Sequence, residues 1–125
     1  IQLQQIFYRM TKYFIENFNT ANFLTEALYH SKAASYFTNY RIQHFIFVRT
    51  LIEQAQREGD ICSDMNSYEI YTTLQSILIQ PIIIKNNILQ QHKNEPLMDK
   101  LKLIDVSSES SLQKRLRVAF KGLRP

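Results

Sequence analysis

Two glycines and three prolines are all that this chain of 125 residues contains. That scarcity constrains the fold most, because tight β-hairpins draw on these residues and a many-turned sandwich or barrel is hard to build without them. Apolar side chains instead recur in steps of three and four, the period of a helix with one buried stripe. With 45% hydrophobic residues the chain is apolar enough to fold. At this length a single core hides roughly two-thirds of the extended-chain surface. The expectation is one all-α domain over residues 1–125, with five to six helices.

Helix by helix, Leu3, Ile6, Phe7, Met10, Tyr13 and Phe14 mark the first segment, over residues 1–17. Asn19, Thr20 and Asn22 offer caps for a second helix reaching Ser31, with Phe23, Leu24, Ala27 and Leu28 on one side. A third, residues 36–58, is apolar on two stripes and is expected to be central, with Gly59 as its left-handed terminator. Asn66 and Glu69 have capping-box spacing and open a helix to Gln91, kinked by Pro81. A β-strand over 77–84 is the alternative for this Ile-rich run, disfavoured by the proline inside it. Pro96 fits the first turn of a short helix, and Ser107 or Ser108 caps a last one that ends at Gly122.

The chemistry inventory is sparse. One cysteine, Cys62, excludes an internal disulfide and a multi-Cys zinc site, and fits a reducing compartment, the cytoplasm. His30, His44 and His92 lack metal-ligand spacing, and Glu58, Asp60 and Asp64 do not match a calcium loop. Two glycines cannot make a phosphate-binding loop. No enzyme, cofactor or metal is expected. No apolar stretch approaches the roughly 20 residues of a membrane span. The +4 charge tolerates a polyanion without demanding one. The densest basic group, Lys114, Arg115, Arg117, Lys121 and Arg124, sits where cations complement a helix C-terminus. The first residue is Ile1, and the chain is expected to be a piece of a longer protein.

The aromatics are distributed unevenly. Twelve of the fifteen Phe and Tyr lie between Phe7 and Phe47, whereas the later helices are aliphatic. Aromatic walls with few polar groups suit a pocket for a flat or greasy molecule. Met10, Phe14, Phe37, Tyr40, His44 and Phe47 are the candidate ligand contacts. The aliphatic surplus of the later helices predicts pairing with a second copy. Ile77, Ile84, Ile88, Leu112, Leu116 and Phe120 are the candidate dimer contacts.

The stretch LIEQAQREGDICSDMNSYEIYTTLQSILIQP, residues 51–81, resembles a segment of TetR-family transcriptional regulators. There a long helix ends at a Gly, a Gly-x-Ile/Leu-x-x-Asp turn follows, and the penultimate long helix begins; Gly59, Ile61 and Asp64 hold the matching places. The closing LRVAFKGLRP, residues 116–125, is also similar to the end of many such chains. The resemblance implies a TetR C-terminal-domain-like bundle that senses a small hydrophobic or aromatic effector and forms a homodimer. It implies a repressor released from DNA when effector binds. The family's N-terminal helix-turn-helix has no counterpart in these residues, so no DNA contact can be assigned. A helical protein-interaction module without a pocket is the alternative. A basic RNA-binding surface is a third reading, which predicts steep salt dependence.

Overall fold

The computed structural model describes residues 2–17, 31–92 and 94–125, with the side chains of residues 31–41 outside that description. Six helices form among the described residues, and no strand does: α1 (Gln2–Glu16), α2 (Ser31–Arg57), α3 (Ser67–Leu78), α4 (Gln80–Gln91), α5 (Leu97–Leu103) and α6 (Glu109–Gly122). The fold is all-α. The helix expected before Ser31 falls outside the described residues. No helix among them is long and apolar enough to cross a membrane.

Local chemistry sets the helix ends. Gly59, at φ +79°, ends α2 in a Schellman arrangement: its N–H donates to the Gln56 carbonyl, and the Asp60 N–H donates to that of Ala55. Asn66 opens α3 with both arms of a capping box, accepting from the Glu69 N–H at 2.8 Å while its own N–H donates to Glu69 Oε1 at 3.1 Å. Ser108, of the two serines considered, caps α6 by accepting from the Ser111 N–H. Gly122 is the last residue of α6 and has no positive φ.

Two expectations are corrected. The helix from Asn66 to Gln91 is not one kinked rod but two helices, α3 and α4, meeting at Ile79. Pro81 has no N–H for the Ile77 carbonyl, and the chain restarts with the Ile82 N–H bonded to Ile79 instead of Leu78. The central element is α3 rather than α2: α3 packs against α2, α4 and α6. Of the stripes read on α2, Ile52 is buried, Phe45 and Leu51 are half-buried, and Ile42, Ile46 and Phe47 are exposed.

The main core joins Leu3 and Phe7 of α1, Val48, Ile52 and Ala55 of α2, and Ile70, Tyr71, Leu74 and Leu78 of α3 to the apolar stripe of α6. Each Leu or Ile buried this fully contributes about 1.5–3 kcal/mol. A smaller cluster, Phe14 with Ile82 and Ile83, holds α4 against the end of α1. Thr11, the one polar residue buried with these stripes among the described residues, is satisfied by donating to the Phe7 carbonyl. At the surface, the Tyr8 hydroxyl donates to Glu109 Oε1 at 2.7 Å and fastens α1 to the start of α6.

Two predictions follow from the caps. A Cβ at Gly59 would meet no atom within 4 Å, so the cost of Gly59→Ala is conformational alone. It is expected to lower stability by about 1 kcal/mol in urea unfolding, with helix content unchanged. Asp105 accepts from the Ser108 hydroxyl and from the Ser108 and Ser107 N–H groups, which hold its pKa below the ordinary 3.8. A depressed folded pKa contributes stability that is complete above the unfolded value and lost as pH falls through the folded one. Asp105→Asn is therefore expected to flatten the acid limb of stability, read as urea midpoints between about pH 5 and pH 2.

Candidate functional site

Where α2 crosses α3, an imidazole meets a phenol. His44 Nδ1 and the Tyr71 hydroxyl lie 2.6 Å apart and share a hydrogen bond whose direction follows the imidazole tautomer. Their rings meet edge-on at 5.5 Å. Phe45 packs beside them, with its ring 5.3 Å from that of Tyr71 and 5.6 Å from that of Tyr68. Tyr71 is 3% exposed and His44 half-buried, so the pair is a polar point set into an aromatic wall. A buried phenol needs such a partner, because an unbonded hydroxyl away from water is costly.

The other predicted ligand contacts are dispersed. Phe14 is buried against Ile82 and Ile83. Met10 is half-buried and packs on the main core. Phe47 is 69% exposed and so is no part of an interior wall in this chain. The Phe37 and Tyr40 side chains lie outside the described residues. Sequence reasoning missed Tyr71, Phe45, Ile82 and Ile83. The signal for Tyr71 was available: it shares a helical stripe with Leu74 and Leu78. A separate groove between the first turn of α1 and the end of α2, lined by Leu3, Ile6, Leu51 and Ala55 among others, holds about 20 Å³, room for one water.

Half of the predicted dimer contacts are interior. Leu112 and Leu116 are each 1% exposed and Phe120 is 7% exposed. They pack inward from α6, with Phe120 edge-on to Phe7 at 6.5 Å. The reason is the direction of the stripe: its large side chains face α1 and α3, and the outer positions are mostly polar or charged, with Gln113, Lys114, Arg117 and Lys121 exposed beside a single apolar Val118. Ile77 is half-buried against the core and Ile88 is also half-buried, whereas Ile84 is 48% exposed. On α5 and just after it, Leu97, Leu103 and Ile104 are exposed as well. Lys85 Nζ donates to the Ile104 carbonyl, which puts the end of α5 beside Ile84.

Burial, with the neighbouring Asp64 carboxylate, pushes the Cys62 thiol up, away from the thiolate that nucleophilic chemistry requires. Among the described residues no group of three or more His, Cys, Asp and Glu is placed to hold a metal ion. Comparison of the chain with protein-family models, with curated proteins and with solved structures finds no match.

Tyr71→Phe deletes one partner of the His44 bond while keeping the ring contacts. It is expected to cost about 1 kcal/mol in urea unfolding, with the helical circular-dichroism spectrum retained.

Proposed function

We propose that this chain is the effector-sensing and dimerising part of a TetR-like repressor that acts in the cytoplasm. The observation that carries the reading is the turn between α2 and α3. The residues that bear the resemblance, Gly59, Ile61 and Asp64, occupy a left-handed terminator, a side chain 1% exposed in the core, and the approach to a capped helix. These three positions join two packed helices of this chain, as the resemblance would require of them. Support also comes from the His44–Tyr71 pair, which offers one polar handle among aromatic rings, a chemistry suited to a hydrophobic or aromatic effector with a single hydrogen-bonding group. In this reading the effector binds beside His44 and Tyr71, where α2 crosses α3, and a second copy covers the exposed aliphatic surface around Ile84. DNA is read by a domain outside these residues. Effector acts by preferring the dimer arrangement that fits DNA poorly.

Light scattering on the eluting protein is expected to give twice the 14.8 kDa of one chain, and Ile84→Asp to return it to one. Anilinonaphthalene sulfonate, an apolar aromatic probe, is expected to bind saturably, about tenfold more weakly after His44→Ala, as loss of one hydrogen bond to a polar ligand group implies. A monomeric parent chain would remove the dimer, and absence of saturable binding would favour a protein-interaction module.

A further inference from the structure

A helix running through Ile79 would place the Ile82 N–H on the Leu78 carbonyl. Pro81 prevents this: the Ile82 and Ile83 N–H groups both turn to the Ile79 carbonyl, at 3.0 and 3.3 Å. The Leu78 carbonyl loses its helical donor at a buried residue, and a released carbonyl there needs another. Arg115 of α6 supplies it, with Nη2 donating at 3.0 Å. Its Nη1 donates to the Ser111 hydroxyl one turn earlier, at 2.6 Å, which fixes the fork of the guanidinium. Its Nε is buried with no hydrogen-bond partner among the described residues. Burial pulls the guanidinium pKa down and Asp105 opposes that. A cation kept in so unfavourable a place is explained by what its Nη2 holds.

The contacts around the break form a circuit. From α4, Lys85 donates to the Ile104 carbonyl. The next residue, Asp105, gathers Ser107 and Ser108, and Ser108 caps α6. From α6, Arg115 returns to Leu78 at the end of α3. The element enclosed is α4. It presses Ile82 and Ile83 on Phe14 and turns Ile84 outward. α4 therefore joins the apolar contact with Phe14 on one side to the exposed Ile84 face on the other.

We propose that the α3–α4 break is a hinge and Arg115 its latch, so that α4 moves as one piece when the Arg115–Leu78 bond opens. The regulatory use of that motion, relaying events near Phe14 to the Ile84 face, rests on the sensor reading. The latch itself does not.

Amide hydrogen exchange on the full chain tests it, with Arg115→Met as a variant of similar shape lacking donors and Arg115→Lys as a donor-retaining control. Arg115→Met is expected to accelerate exchange of residues 82–91 by about tenfold, while residues 48–57 and 70–77 keep parental rates. Arg115→Lys is expected to recover most of that protection. In a Pro81→Ala background, where Leu78 can regain the Ile82 N–H, Arg115→Met is expected to leave α4 unchanged. Uniform acceleration of all helices would reduce Arg115 to an ordinary stabilising contact and overturn the latch. Unchanged exchange in α4, or equal acceleration with and without Pro81, would overturn it too. The measurement uses neither effector nor dimer, so it can fail while the sensor reading stands, and the mass and probe assays can fail while the latch stands.

Discussion

Ile70, Leu74 and Leu78 form one stripe of α3, and it seats α2 and α6, the two helices on which α1 packs. At 0–1% exposure these three side chains face α2 on one flank and α6 on the other. The stripe spans little more than two turns, so its value depends on both ends of α3 being fixed. The capping box at Asn66 fixes one end and the proline-enforced restart fixes the other. A longer, unbroken helix would carry Ile82 and Ile83 onward along the α3 axis. The break lets them turn onto Phe14 and build the second apolar cluster.

The turn that feeds α3 is held from three directions. Gly59 supplies the backbone conformation, and the Gln56 side-chain amide donates to the carbonyls of Cys62 and Met65. The Cys62 N–H donates to the Leu123 carbonyl at 2.7 Å, joining this turn to the end of α6. Ile61 fills the core between them. Each bond satisfies a backbone group that neither helix can serve, which is why the loop can lie against the core instead of standing off in water. Residues 51–81 and 116–125 thus meet at this joint.

Features written in local chemistry were legible in the sequence. Gly59, the Asn66–Glu69 box and Ser108 are cap signals that act within one turn, and the structure realises each. Pro81 was legible as a disturbance but not as a full stop. Whether a proline kinks or ends a helix depends on what receives the freed carbonyl, and Arg115 lies 37 residues away. The face of each helix that meets the core was less legible. On α2, nearly apolar all round, periodicity could not select Val48, Ile52 and Ala55 over Ile42, Ile46 and Phe47. The candidate site suffered most, because Tyr71, which completes the polar pair, comes from another helix 27 residues on. Leu112, Leu116 and Phe120 were assigned to a partner because a stripe that serves its own core looks the same in sequence as one that serves a second copy.

The charge on α6 decides where a symmetric contact can form. A twofold interface brings each patch against its own copy or that of a near neighbour. Lys114, Arg117 and Lys121 stand exposed on the outer side of α6, and none of them has an acidic partner among the described ion pairs. Pairing two such helices would face cation with cation, and water that screens them at the surface would be lost from the seam. The α4–α5 side carries Ile84, Leu97, Leu103 and Ile104 exposed, with Lys85 engaged on a carbonyl and Lys102 beside Asp99. Desolvating that surface removes apolar area from water and strands fewer charges. The same basic face that disfavours α6 as a seam would remain in solvent if a second copy covered α4 and α5, so any affinity it had for an anionic partner would not depend on that pairing and would weaken with salt.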